Sequence, residues 1–366
     1  EKNFLFICNK KHLSSKQFNL TRILKKICPS GKIVGIKPHE FGPGYSILEA
    51  IDKINDKEPI IINYCDFNCF WSYKNFKKIV RKKNYDGCVV VYKDFHPSTI
   101  KNNYYAYIKE IKRKVVSIQE KRPFTKDPVK EYTSSGTYYF KNKEILEKNL
   151  REILKKKIQI NGEYYVSMIY KPLIKNNMRV GFYKIDFFCQ WGTPDDFNEY
   201  KNWSEKFEKI KKIKKIKKLD GILLIPAAGK GMRFIKDGFT THKPLIEISK
   251  KPILIQSILT HPNYKNLNVI LSNKNKSYNK LNQKVKKYFP KSKINILNKH
   301  TKGQAITCLE ILKKENTKLP ITIGSCDTGL IYNQKKFLKL YNKLDTDIIV
   351  WSTTGHIESI RNPKQF

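Results

Sequence analysis

The segment KIVGIKPHEFGPGYSILEAIDKINDKEPIIINYCDFNCFWSYKNF, residues 32–76, aligns without a gap to KINILNKHTKGQAITCLEILKKENTKLPITIGSCDTGLIYNQKKF, residues 293–337. Lys32 meets Lys293, Gly42 meets Gly303, Glu49 meets Glu310 and Asp66 meets Asp327, every pair 261 residues apart. Solenoid repeats recur every ~20–50 residues, so a match at this distance marks a duplicated domain instead. Circular permutation moves segments without copying them and cannot account for a stretch present twice. The chain is therefore expected to hold two tandem copies of one domain, residues 1–203 and 220–366, joined by a basic linker helix over 204–219. Because the offset sets the length of a copy, the first is expected to lack its opening strand and glycine turn, and the second its closing part.

Each copy alternates apolar runs of strand length with amphipathic segments of helical spacing. Strands are expected at NFLFIC, KIVGI, PIIINYC, GCVVVY and GTYYF in the first copy, and at GILLIP, NVILS, KINIL, PITIGS and DIIVWS in the second. Stretches such as SILEAIDKIN and QAITCLEILKK carry the helical period. This alternation predicts an α/β fold with a Rossmann-like, mainly parallel sheet, helices on both faces, and ligands at the carboxyl ends of the strands. Between the copies, Ile210, Ile213, Ile216 and Leu219 recur every third residue among lysines, a thin apolar stripe suited to a solvated connecting helix.

With 366 residues, 40% hydrophobic and 12% aromatic, the chain can fill more than one core. A net charge of +41 would ordinarily suggest nucleic acid. Here lysine far outnumbers arginine and Ile and Asn are abundant, a pattern of A/T-rich coding, whereas phosphate-backbone sites enlist arginine for its bidentate fork. No nucleic-acid partner is expected. No run approaches the ~18 apolar residues that span a bilayer, and no secretory leader is visible, so the expected setting is cytoplasmic. The eight cysteines form no C-x-x-C pair and are expected to be reduced and mostly buried.

The chemistry concentrates around LLIPAAGKGMRF, residues 223–234. A buried strand enters a turn where Gly229 and Gly231 let backbone N–H groups approach an anion, and Arg233 adds a fixed positive fork. It is not a P-loop, because Met232 and Arg233 stand where Lys and Ser/Thr are required, nor a G-x-G-x-x-G turn, because Phe234 takes the third glycine's place. Further on, Lys243 is pinned by Pro244 ahead of an apolar run, an ammonium expected near Arg233.

The spread IPAAGKGMRF, HKPLIEI and KPIL resembles the signature of the sugar-phosphate nucleotidylyltransferases, which make nucleotide sugars from an NTP and a sugar 1-phosphate. The family usually writes P-K-P where this chain has His242-Lys243-Pro244. The resemblance implies that Gly229, Gly231 and Arg233 cradle the triphosphate, that Lys243 binds a phosphate during transfer, and that Gly303 and Gln304 face the base. It implies Mg²⁺ on Asp327, and its recurrence as Asp66 extends that expectation to the first copy. In the first copy, Lys121 of SIQEKRP resembles the lysine that contacts the sugar phosphate, with Arg122 inserted before the proline. Gly136 of TSSGTYYF resembles the glycine beneath the sugar, Glu163 of NGEYYV the acid that holds sugar hydroxyls, and QWGTPDDF the closing W-x-D-x-G-T-P. Gln190 stands where many members carry a second metal-binding aspartate. Asp195 and Asp196 fall past Pro194, where carboxylates cap helices.

The reaction these residues imply is transfer of a nucleotidyl group to a sugar 1-phosphate with release of pyrophosphate, supplying nucleotide sugars for polysaccharide or other glycan synthesis. Two rivals stay open. A nucleotide-sugar-dependent glycosyltransferase is a weak match through Asp66-Phe67-Asn68. A non-catalytic module that binds nucleotide or sugar phosphate for regulation is favoured in the first copy by Gln190. Base, sugar and homo-oligomeric state stay open as well.

Overall fold

The computed structural model describes residues 2–56, 58–93, 105–211, 218–315 and 317–354. Its internal contacts divide the chain into two units, Glu1–Lys201 and Asn202–Phe366. Both are mixed α/β. Among the described residues no helix is long and apolar enough to cross a membrane.

Unit 1 opens with β1 (Leu5–Asn9), α1 (Lys10–Ser14), α2 (Leu20–Ile27) and β2 (Lys32–Ile36), and β1 pairs with β2 in parallel as a two-stranded sheet. Then come α3 (Gly42–Glu49), β3 (Ile60–Asn63), β4 (Phe67–Phe70), α4 (Tyr73–Lys83) and β5 (Gly87–Tyr92). The remainder is β6 (Ala106–Ile111), β7 (Lys114–Glu120), β8 (Tyr132–Phe140), α5 (Lys143–Lys155), α6 (Tyr170–Lys175), β9 (Val180–Lys184) and β10 (Phe187–Gln190). The main sheet runs β7-β6-β8-β5-β9, with β3 also on β8.

That sheet corrects the expectation of a mainly parallel one, since only β5–β9 is parallel and every other pairing in it is antiparallel. The cause is local. β6 turns into β7 through Lys112 and Arg113, at φ 48° and 64°, a two-residue turn of the left-handed type that matches strand twist. Such turns usually contain Asn or Gly, and this one contains neither.

Alternating side chains place helices on both faces. Val89 and Val91 of β5 point into a core shared with Leu146, Leu150 and Ile153, the i, i+4, i+7 stripe of α5, while Cys88 and Val90 face Phe76 and Val80 of α4. Helix α5 starts where the Asn142 side chain accepts the amide of Ile145, and α4 starts on Ser72 in the same way.

Helix α7 (Pro194–Lys211) crosses the division into unit 2. It starts ten residues ahead of the expected linker, on the T-P-D-D segment. Ile213 and Ile216 lie outside the described residues, and Leu219 belongs not to a helix but to β11.

Unit 2 contains β11 (Leu219–Pro226), α8 (Met232–Lys236), β12 (Glu247–Ile248), β13 (Lys251–Pro252), α9 (Ile253–Thr260) and β14 (Tyr264–Ser272). It continues through α10 (Tyr278–Tyr288), β15 (Lys293–Leu297), α11 (Gln304–Leu312), β16 (Ile321–Ile323) and α12 (Gln334–Tyr341). Its sheet, β15-β14-β11-β16, is parallel throughout. Leu223 and Ile225 pack with α9 and α10 on one face, and Leu224 packs with Cys308 and Ile311 of α11 on the other. This is why GILLIP reads as an unbroken apolar run. Truncating Ile225, fully buried, to alanine costs about 2–5 kcal/mol.

The stretch DIIVWS, expected as a strand, pairs with nothing among the described residues, and Ile348 and Val350 are each 82% exposed. In unit 1 the corresponding β5 lies between β8 and β9, and residues 220–354 offer no such neighbours. The cysteines are free thiols as expected, but only Cys28, Cys88 and Cys308 are buried and Cys65 is exposed.

Elements of the two units recur at one spacing. β2 and β15, β3 and β16, α4 and α12 begin 261 residues apart. So does a detail the alignment does not include: Lys25 donates to the carbonyls of Pro29 and Gly31, and Lys286 to those of Pro290 and Ser292.

Candidate functional site

In unit 2, β11 carries the chain to Ala227 and Ala228 at the carboxyl edge of the sheet, where the Gly229–Gly231 turn follows. Gly231 sits at φ 67°, which glycine adopts without strain, and a Cβ there would meet the Lys243 Cβ at 3.3 Å. Arg233 lies in the first turn of α8, and Lys243 opens a single 3₁₀ turn closed by Pro244 and Leu245. Gly303, at φ 121°, precedes α11, and its carbonyl accepts the Thr307 hydroxyl at 2.9 Å. One cavity of about 540 Å³ is lined by the glycine turn together with Arg233, Lys243, Gly303, Gln304 and Asp327.

Asp327 lies four residues past the end of β16. Lys243 Nζ donates to its Oδ2 at 2.5 Å, and the Ser325 hydroxyl donates to Oδ1. Burial pushes the carboxyl upward, but the hydrogen bonds from Lys243 and Ser325 outweigh it and hold the pKa below the ordinary aspartate value. Asp327 is thus a carboxylate at neutral pH. Among the described residues it is the single acid on a wall that carries Lys230, Arg233 and Lys243, an excess of positive charge that favours a polyanion.

The loop that presents this carboxylate is stapled to α9. The buried Ser257 hydroxyl stands 2.5 Å from the Ser325 carbonyl and 2.9 Å from that of Thr328, on either side of Asp327. Leu330 N donates to Thr260 Oγ1 at 3.0 Å. Sequence reading missed Ser257 and Thr260, because their partners are 68 to 71 positions away. Ser325, two residues before Asp327, was within reach of it.

The other candidates belong to unit 1. Lys121 Nζ donates to the Tyr165 hydroxyl at 2.5 Å and lies 3.9 Å from Glu163 Oε2, and Tyr165 in turn donates to Glu163. Lys121 and Glu163 are therefore brought together as one cluster. Beneath it Glu120 is buried on the Ser167 hydroxyl, and burial pushes its carboxyl up to about 7 against the pull of Ser167 and Lys121. Neither Tyr165 nor Ser167 was singled out from the sequence.

Gly136, at φ 87°, forms a bulge in β8: Val90 pairs with Thr137 but Val91 pairs with Ser134. A Cβ at Gly136 would lie 2.8 Å from the Phe67 ring, so the glycine lets the Asp66–Phe67 turn close over the strand. On the far side, β10 pairs antiparallel with β4, placing Gln190 opposite Phe67, next to Asp66. Gln190 donates its amide to Asp196 at 2.8 Å, and Thr193 donates to the same oxygen at 2.6 Å.

Among the described residues no three His, Cys, Asp or Glu side chains converge as a metal-binding group. Mg²⁺ commonly takes one or two protein carboxylates and completes its shell with phosphate oxygens and water. A lone, ionised Asp327 beside a cationic cavity fits a cation that arrives with a triphosphate. Asp66, with a neutral amide as its neighbour, is a poorer donor set.

No family model matches this sequence, and no curated protein matches it. Among solved structures, the chain is similar to a nucleoside-diphosphate-sugar pyrophosphorylase from Vibrio cholerae RC9, with 18% identity, TM-score 0.43, and coverage of 54% of this chain and 79% of that one. A UDP-glucose pyrophosphorylase complexed with UDP-glucose matches at 18% identity and TM-score 0.41, covering 54% and 76%. An inositol-1-phosphate CTP transferase from T. maritima matches at 14% identity and TM-score 0.38, covering 50% and 68%. Likeness this distant says nothing about which chemistry unit 2 performs.

Proposed function

We propose that the unit 2 cavity holds the triphosphate of a nucleoside triphosphate, and that the protein transfers the nucleotidyl group to a sugar 1-phosphate. The observation that carries this reading is the shared wall: two glycine-containing turns, Arg233, Lys243 and Asp327 border one cavity. Motif resemblance at Lys121, Gly136 and Glu163, within unit 1, supports a sugar phosphate as the kind of acceptor a domain of this type takes. We read the units as two copies of one domain, on the strength of elements and capping contacts that recur 261 residues apart.

A sugar-phosphate oxygen bonds to the α-phosphorus as the bond to the bridging oxygen breaks, and pyrophosphate leaves with that electron pair. The nucleophile is already an anion, so no protein base is needed. The barrier is bringing two polyanions together, which Arg233, Lys243 and backbone N–H groups of the glycine turn lower by positioning and charge. Asp327, together with the phosphates, would hold Mg²⁺, whose charge would add to that neutralisation. The Lys243–Asp327 pair keeps both side chains in place until the nucleotide arrives.

For unit 1 a second reading is favoured by Gln190, a neutral amide hydrogen-bonded to Asp196 where the motif carries an aspartate: this unit binds sugar phosphate or nucleotide without turning it over. Pyrophosphate exchange into NTP, measured on the chain with Asp66→Ala and Asp327→Ala separately, tests both readings. Loss with Asp327→Ala alone is expected; loss with neither refutes catalysis here.

A further inference from the structure

The glycine turn is packed on its Gly231 side, against Lys243 and His242, and open at Gly229. A side chain at Gly229 would meet nothing within 4 Å, so no packing presses on that side of the loop. Its carbonyl is instead caught by His242, whose Nε2 lies 3.0 Å away. A carbonyl only accepts, so Nε2 carries the proton, and in the neutral ring Nδ1 accepts from the Ser277 hydroxyl at 2.6 Å. Asn275 Nδ2 adds longer bonds, 3.3 Å to the Ala228 carbonyl and 3.5 Å to the Gly229 carbonyl itself, so His242 makes the shorter of the two contacts that hold Gly229.

Ser277 makes the arrangement informative. It occupies the N-cap of α10, where a serine ordinarily accepts an amide of the first turn, yet its hydroxyl makes no cap bond. The hydroxyl faces His242 instead. His242 itself has φ −58° and ψ 132°, angles a proline adopts, so the backbone there does not need the imidazole.

We infer that His242 is a positioning residue for phosphate binding: a strut, braced by Ser277, that orients the peptide between Gly229 and Lys230. In a trans peptide the C=O and N–H point opposite ways, so fixing the Gly229 carbonyl on His242 turns the Lys230 amide away from that ring, which does not line the cavity, towards the side that does. The inference rests on the reading of this cavity as a triphosphate site, and it deepens that reading by naming what preorganises the donors.

The test is titration of the full chain with inorganic tripolyphosphate by calorimetry, alongside thermal unfolding, for wild type, His242→Pro, His242→Ala, His242→Gln and Ser277→Ala. His242→Pro and His242→Ala are expected to weaken binding roughly tenfold, the scale of one lost hydrogen bond in a preorganised site. His242→Gln, which restores an N–H donor at the same reach, is expected to recover most of the affinity. Ser277→Ala has no cap bond to lose, so it is expected to weaken binding about threefold without lowering the melting temperature. Unchanged affinity in both His242→Pro and His242→Ala, or no recovery in His242→Gln, overturns the strut. Wild type that fails to bind tripolyphosphate overturns the triphosphate reading instead.

Discussion

Asp66 and Asp327 stand 261 residues apart, each just past a strand, β3 and β16, yet they keep different company. Asp327 is paired with an ammonium at the rim of a cationic cavity, across from a glycine turn. Asp66 has no such ammonium partner among the described residues: a side chain at Gly192 would come within 2.6 Å of its carboxylate and 3.8 Å of the Gln190 amide. The sheets differ in the same sense. In unit 2, β11 lies between β14 and β16 and delivers the turn, whereas in unit 1 the corresponding β1 and β3 belong to separate sheets. Equal spacing sets where a residue falls in the chain, but its chemistry comes from the neighbours that fold against it.

The largest expected effects separate the two aspartates. Arg233→Ala is expected to lower kcat for pyrophosphate exchange by about 10²–10³-fold with a smaller change in KM, because the guanidinium acts on charge that develops in the transition state. Asp327→Ala is expected to cost at least as much, and Asp66→Ala less than about threefold by the same measurement. Equal losses at Asp66 and Asp327 would break the contrast between the units.

Next in size is a pH effect confined to unit 1. Folded Glu120 holds its proton up to about pH 7, whereas the unfolded chain releases it near the ordinary 4.5. The folded state therefore binds more protons between those values, and its stability falls as pH rises through that window and levels off above it. The loss amounts to about 3 kcal/mol. Glu120→Gln is expected to abolish that slope, so chemical denaturation at pH 5 and pH 8 gives the variant a shallower difference than wild type. Unit 2 has no matching buried acid among its described residues, and probes placed there should not register the change.

How far these contrasts could be read beforehand differs by residue. The offset was legible because identities such as Asp66 and Asp327 keep their spacing, and so was the Gln190 departure, because it interrupts a motif. The β6–β7 hairpin was not, since Lys112 and Arg113 take left-handed angles without the Asn or Gly that advertises them. Ser257, Ser277 and Tyr165 were silent for another reason: a hydroxyl's role depends on what folds against it, and no periodicity encodes that. DIIVWS misled because an apolar run records strand propensity and says nothing about whether a pairing edge exists.

Ser257 yields a smaller effect within unit 2. Replacing it with alanine leaves two carbonyls beside Asp327 without their hydroxyl, at a cost of about 1–2 kcal/mol. Exchange activity is expected to fall more than tenfold in Ser257→Ala while tripolyphosphate affinity stays within about twofold, because the staple aligns the carboxylate and not the glycine turn. A parallel loss of both would mean that the Asp327 loop and the turn move together.

The smallest expected effect bears most directly on why the two aspartates differ. Gln190→Asp sets a carboxylate against Asp196, close to the Gly192 position that Asp66 also borders, and removes the amide hydrogen bond that Asp196 accepts. Without divalent cation the like charges and the lost hydrogen bond should destabilise unit 1 by about 1 kcal/mol, visible as a lower midpoint in urea. Millimolar Mg²⁺ is expected to return that loss in Gln190→Asp and to leave wild type unmoved, because a ligand that binds only the folded state raises its stability. Recovery would make the single amide the reason Asp66 and Asp327 differ. If Mg²⁺ returned nothing, the difference would lie in the frame around Asp66, in the separation of β1 from β3 where unit 2 carries β11, and no substitution at position 190 would bridge it.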